Sequence, residues 1–360
     1  MNWKKILQDK RWFWIGLGLL AVLLRLALSP EMIERYYSRG LFLVIRRGID
    51  TIMGILPFAS VYLLFFILLG VLIFQGYRFF NSNTTWPKKI GNALFSWLAF
   101  SGGVVFFFLI LWGFNYGRVP LERQLGLAAK PLAMEELKEE LDSTTAMLST
   151  LRAKLPGVSD EAVSADFLPP HLEKTLRAEL QRLLRQLGYP AVGKVRGRLL
   201  FPKGILLRIS TAGVYIPFTG EGHVDPGLHS LQLPFVMAHE MAHGYGFGDE
   251  GTCNFLAYLC CIQSKEPVIQ YVGYLNYWRY VASNYRRHKR EDYWKFYENE
   301  LPNGIKNDLN AIYEEMEKYP DILPKVRNYA YNSYLKAQGI SEGMKNYSRI
   351  LMLVHAWRKR

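Results

Sequence analysis

Three long apolar runs open the chain, and a charged, periodically patterned remainder follows them. Residues 12–29 (WFWIGLGLLAVLLRLALS) are interrupted only by Arg25, while 52–76 and roughly 93–114 carry no charge at all. A helix needs about 20 apolar residues to cross a bilayer core. Transmembrane helices are therefore expected at about 12–29, 52–76 and 93–114, with residues 1–118 forming a membrane anchor and 119–360 a soluble domain. Between the first two runs, Glu31 to Asp50 has a pattern suited to an amphipathic helix lying on a membrane surface. After Arg118-Val119-Pro120, residues 134–154 and 171–187 show helix-type spacing with many charges. Pro169-Pro170 fits a helix start and Gly188 a stop. Residues 198–218 are rich in branched and aromatic side chains and broken by Gly and Pro, which predicts short strands. Helical patterning resumes from Leu233. The expected fold class is mainly α with a small β part (α+β).

Charge adds orientation to this outline. The chain of 360 residues has a formal net charge of +13, yet no finger spacing or aromatic-flanked basic motif points to nucleic acid. Lys4, Lys5, Lys10 and Arg11 precede the first run, and Arg78, Lys88 and Lys89 lie between the second and third. Cytoplasmic loops carry such an excess, so the soluble domain is expected outside the cytoplasm. Arg35, Arg39, Arg46 and Arg47, in the loop after the first run, pull the other way. The basic excess favours anionic lipid headgroups as a partner. The three cysteines, Cys253, Cys260 and Cys261, sit in one helical stretch. There Cys253 and Cys260 are about 10 Å apart along the axis, so they read as small buried apolar residues rather than a disulfide framework.

The chemistry concentrates in LPFVMAHEMAHGYGFGDEGTCNFLAYLCC, residues 233–261. His239 and His243, four apart, lie one above the other on a helix face and can share one zinc ion. Glu240 beside them is placed to act as general base toward a metal-bound water. Gly244, Gly246 and Gly248 predict a reversal, Asp249 a cap for a second helix, and Glu250 at its first turn the third ligand. Glu221 is an alternative ligand without favourable spacing. Asn254, one turn on, is placed to hydrogen-bond a ligating histidine. A chance HExxH in a chain this long has odds on the order of one in a hundred. His223, Tyr258 and Tyr334 are candidates for lining a cleft or donating to an oxyanion, alongside His229 and the further tyrosines Tyr271, Tyr274, Tyr277, Tyr280 and Tyr331. The strand-like stretch 212–218 offers an edge for an extended peptide.

This arrangement resembles the gluzincin metallopeptidases, in which HExxH is followed by a glutamate ligand on a later helix. Glu250-Gly-Thr-Cys-Asn254 looks like the Glu-x-x-x-Asp element of membrane-bound CAAX-prenyl-protease-like enzymes, with Asn in place of Asp. Closer still is a family of uncharacterised bacterial membrane proteins known as a domain of unknown function. The matching segments are residues 115–121 (NYGRVPL), 217–221 (PFTGE), 233–235, 239–258 and 332–336 (NSYLK). The chain departs from that family at Thr252, where relatives tend to have an acid, and at Cys253, where they tend to have Ala. The resemblance implies a zincin-like helical soluble domain, Zn2+ as cofactor and a multi-pass place in the bacterial inner membrane.

Together these readings predict a membrane-anchored zinc metallopeptidase that hydrolyses an extracytoplasmic protein or peptide through a zinc-activated water. The alternative is a non-catalytic zinc-containing membrane sensor or assembly protein. A transporter is disfavoured, because the second and third runs hold no ionisable residue.

Overall fold

The computed structural model describes residues 9–155 and 159–360, so Lys4 and Lys5 lie outside the described residues. The described chain is mostly helical with one small sheet. It divides into two units, one ending at Arg118 and including Ile216–Gly220, the other comprising Val119–Tyr215 and Glu221–Arg360.

In the first unit, α1 (Lys10–Ala27), α2 (Pro30–Met53), α3 (Val61–Phe80) and α4 (Trp86–Leu111) follow one another. Helices α3 and α4 are each long and apolar enough to cross a membrane, and α1 with α2 would count as a third span bent by 110°. The second run expected at 52–76 is displaced to 61–80. Gly54 ends α2, and Pro57, which lacks an N–H and disfavours helical backbone at Leu56, keeps the next apolar residues out of a helix. The third begins earlier than expected, at Trp86, because Pro87 is compatible with a first helical turn.

Helices α1 and α4 run in the same direction. Arg11 reaches the Asn92 carbonyl at 3.2 Å near one end, and Gly117 approaches the Arg25 guanidinium beyond the other. Between these ends the helices touch backbone to backbone. A Cβ on Gly18 would sit 2.6 Å from the Gly102 carbonyl oxygen, and one on Gly102 would sit 2.6 Å from that of Trp14. Small residues permit such approach where apolar solvent gives no hydrophobic drive to helix association. Gly18→Val should therefore lower the thermal midpoint of the detergent-purified protein, since overpacking costs about 1–3 kcal/mol. Gly16→Val, whose Cβ meets nothing within 4 Å, should leave it unchanged.

The second unit holds α5 (Leu121–Leu125), α6 (Met134–Arg152) and α7 (Leu172–Gln186), then β1 (Arg196–Leu199), β2 (Gly213–Ile216) and β3 (Glu221–Val224). Ile216, the last residue of β2, is counted with the first unit. The sheet order is β1-β3-β2, with β1 and β3 parallel and Gly197 opposite Gly222. The strand β3 lies beyond the stretch 198–218 in which short strands are expected. It is too short, and too poor in branched residues, to show an alternating pattern.

Helices α8 (Leu233–Gly244), α9 (Glu250–Ile262), α10 (Pro267–His288), α11 (Arg290–Asn299), α12 (Asn303–Glu317), α13 (Pro324–Ala337) and α14 (Ile350–Arg358) complete the unit. Its core runs from Leu141 and Leu148 through Leu176, Leu180, Phe255 and Tyr271 to Leu353. The paired glycines let α8 lie directly on the sheet: a Cβ on Gly197 would meet Met237 at 2.6 Å, and one on Gly222 would meet the Glu240 Cβ at 2.6 Å. This close seating fixes the helix that carries the two histidines.

Candidate metal centre

Pro234 stands in the first turn of α8, where its missing N–H costs nothing. The helix then stacks His239 and His243 one turn apart, with ring centroids 4.8 Å apart. It ends at a glycine-rich turn in which Gly246 takes φ +89°, a backbone that glycine adopts without strain. Asp249 caps α9 by accepting the Thr252 N–H at 2.7 Å. Its other oxygen receives Asn346 at 2.8 Å and Arg349 at 3.0 Å, which ties the turn to the C-terminal segment. Glu250, the first residue of α9, is thereby turned back onto α8.

The hydrogen-bond partners determine which ring nitrogens carry protons. His243 Nδ1 lies 2.8 Å from the Phe247 carbonyl oxygen, an acceptor only, so Nδ1 is the protonated nitrogen. Asn254 gives its amide N–H groups to the Tyr280 hydroxyl at 3.0 Å and the Tyr347 carbonyl at 3.1 Å. Its oxygen is therefore the atom 2.8 Å from His239 Nδ1, and that nitrogen donates too. Both Nε2 lone pairs consequently point inward. They are 3.1 Å apart, and Glu250 Oε2 is 3.1 Å from the first and 3.3 Å from the second. Three buried acceptor atoms facing one another repel unless a cation lies among them. Ligand atoms around a tetrahedral zinc at about 2.0–2.1 Å are separated by about 3.3 Å, so this donor set fits the ion. His239, His243 and Glu250 are the group of His, Cys, Asp and Glu side chains arranged to hold a metal among the described residues.

The surroundings sharpen the electrostatics. With no metal among the lone pairs a proton takes that place: burial acts to raise the Glu250 pKa, but the positive charge of a protonated His243, and then a hydrogen bond from His239, hold it well below the usual carboxylate range. The second Glu250 oxygen accepts the Tyr331 hydroxyl at 3.0 Å, and Tyr331 shares a 2.9 Å hydrogen bond with Tyr347, whose ring stacks parallel to His239. Burial pushes Glu240 up to about 7. Its carboxylate lies against Gly213, where a Cβ would sit 2.6 Å from Oε1. Among the described residues it has no hydrogen-bond or ion-pair partner. Cys253 is a neutral thiol, pushed up to about 11 by burial, and it lies 3.4 Å from both His243 Nδ1 and the Phe247 oxygen. It thus stands behind His243 and away from the converging lone pairs.

Several expected cleft residues lie elsewhere. Alternation along β3 turns Gly222 toward α8 and His223 to the other face of the sheet. There His223 is fully buried, burial lowers its pKa to about 4, and neither ring nitrogen has a partner among the described residues. Glu221, on that same face, pairs with Arg198 at 2.7 Å rather than with the histidines. Tyr258 is packed in the core, its ring 4.8 Å from Tyr277 and its hydroxyl accepting Arg358 at 2.8 Å. Tyr331, not Tyr334, reaches the triad; Tyr334 stacks on Tyr331 with ring centroids 6.3 Å apart.

The sequence model of the family described as "Protein of unknown function (DUF3810)" matches residues 37–355. The chain belongs to this family. Comparison with curated proteins and with solved structures gave no match. The DUF3810 match spans α8, α9 and α13, and so takes in the triad, Glu240 and Tyr331. The family description carries no activity, so the chemistry rests on the residues themselves.

Proposed function

We propose that the protein is a membrane-anchored zinc metallopeptidase, with His239, His243 and Glu250 holding the ion and Glu240 acting as general base. The observation that carries this reading is the convergence of three buried lone pairs beside a buried carboxylate that has no partner among the described residues. A partnerless buried acid is costly to a fold, and such residues concentrate at functional sites. Zinc, when bound, supplies Lewis acidity toward a peptide carbonyl and lowers the pKa of water. Glu240 takes a proton from the attacking water and returns it to the departing amine. The absence of side chains at Gly213 and Gly222 lets Glu240 approach the sheet backbone closely. Strand β2 lies at the edge of the sheet with Gly213 beside Glu240, so an extended peptide pairing along β2 would present its backbone to the base.

The membrane part of the proposal is supported by the parallel course of α1 and α4. Two parallel spans require the chain to return between them, and α3 has the length and apolarity to do so. The basic residues flanking α1 and those between α3 and α4 favour a cytoplasmic side for both, which leaves the catalytic unit outside.

The metal content of the purified protein tests the reading. Wild type should hold about one zinc per chain, and His243→Ala and Glu250→Ala should lose it. Tyr331→Phe should keep the ion but bind it about 10–100-fold more weakly, because it removes the hydroxyl that orients Glu250. A wild-type protein that cannot be loaded at neutral pH would end the metallopeptidase reading.

A further inference from the structure

Helix α2 sorts its side chains more sharply than the composition of residues 30–53 suggests. Ile33–Leu41 winds as a π-helix, and Ile33, Glu34, Tyr37, Ser38, Phe42 and Arg46 are buried. These residues tie α2 to the far end of α4. The Tyr37 hydroxyl donates to the Ile110 carbonyl at 2.9 Å, Ser38 to the Asn115 side-chain oxygen at 2.9 Å, and Arg118 to Glu34 at 2.8 Å. The segment is thus held at the depth where an apolar 26-residue helix gives way to polar residues. It also turns by 110° from α1.

The charges that face inward are neutralised within the unit. Glu34 is shared by Arg118 and Arg39, and Asp50 pairs with Arg46. The outer face carries two adjacent rows at four-residue spacing. Glu31, Arg35, Arg39 and Arg47 form one, basic on balance, and Met32, Tyr36, Val44 and Ile52 the other, all of them exposed. Among the described residues no carboxylate pairs with Arg35 or Arg47. A basic row beside an apolar row is the composition that lies in a bilayer interface.

We propose that the outer face of α2 binds anionic phospholipid headgroups through Arg35 and Arg47, while Tyr36, Val44 and Ile52 enter the acyl boundary. This rests on the membrane reading above and is independent of the metal centre. It also accounts for a basic loop on the side opposite to the one that basic residues mark: these arginines pair within the fold or face headgroups.

The test is lipid retention by the full-length, detergent-purified protein, read by native mass spectrometry with phosphatidylglycerol and phosphatidylcholine offered equally. Wild type should retain phosphatidylglycerol preferentially by about 25-fold, each arginine contributing roughly fivefold. Arg35→Gln combined with Arg47→Gln should abolish the preference, whereas Lys88→Gln combined with Lys89→Gln, in the loop before α4, should preserve it. An unselective wild type, or an unchanged arginine variant, overturns the proposal. So does retention that tens of millimolar inorganic phosphate removes, which would mark a small-anion site. Should the arginine variant not fold, a nitroxide on Val44→Cys in bilayers decides instead. The native cysteines are buried, so labelling is confined to the new site. Shielding from an aqueous relaxant supports the interfacial position, and full water access refutes it. A protein that stays soluble without detergent defeats the membrane reading itself, an outcome distinct from a flat lipid comparison.

Discussion

Glu240→Gln should reduce peptide cleavage by about 10²–10⁴-fold, the usual contribution of a positioned general base, and should leave zinc content at the wild-type level. The two halves of this expectation have separate origins. Glu240 contributes no atom to the converging triangle, which is built from His239, His243 and Glu250, so metal binding does not depend on it. The amide is nearly isosteric with the acid and fits the same space against Gly213 and Gly222. It cannot accept the proton of the attacking water. Stability provides a third readout. The wild-type carboxylate is buried with no partner among the described residues, and burial pushes its pKa up to about 7. Replacing it with a neutral amide relieves that cost, so the variant should melt no lower than wild type while losing activity. Cleavage of a peptide library by zinc-loaded protein, read by mass spectrometry, measures the effect. Wild-type rates in the variant would remove Glu240 from the chemistry, and no cleavage by loaded wild type would favour the sensor reading.

How much of this site the sequence discloses depends on distance along the chain. His239, His243, the glycine turn, the Asp249 cap and Glu250 lie within 12 consecutive residues. Their arrangement follows from helical period and local capping, so it is legible before any folding is considered. The helices at 134–152 and 172–186 are legible for the same reason. Tyr331 and Tyr347 are not. They arrive from 81 and 97 residues beyond Glu250, and nothing local separates them from the 20 other tyrosines. The one available hint was the segment 332–336 that resembles the uncharacterised family, which starts one residue after Tyr331 on α13. The glycines at 197 and 222 are equally silent, because each has meaning only through its parallel neighbour and the helix pressed on both. In the first unit hydropathy finds the apolar stretches but not their limits, since Gly54 and Pro57 are too apolar to interrupt a hydropathy profile and yet break the helix.

The second large effect is expected far from the metal, at Asp308 on α12. Asp308→Ala should cost about 3–5 kcal/mol, the usual result of removing one partner from a buried ion pair. The carboxylate is completely buried and accepts the Arg152 guanidinium at 2.9 Å, the Val163 N–H at 2.8 Å and the Tyr271 hydroxyl. Arg152 ends α6 and also donates to the carbonyls of Ser159 and Glu161, closing the connection toward α7. Gly304 makes room for it, since a Cβ there would lie 2.2 Å from the guanidinium. The single acid therefore joins α6, α10, α12 and the segment before α7. Alanine leaves a buried cation, an N–H and a hydroxyl without their acceptor. Asp308→Asn keeps a shape and one acceptor but not the charge, and should fall between alanine and wild type. For a unit of this size the alanine loss corresponds to a drop of roughly 10 °C in the thermal midpoint, measurable by tryptophan fluorescence in detergent. An equal midpoint for wild type and alanine variant would mean that Arg152 finds another partner. The comparison with Glu240 is the useful one: both acids are buried, but Asp308 is fully partnered and Glu240 is not. Removing the first should unfold the protein more readily, and removing the second should silence it without unfolding it.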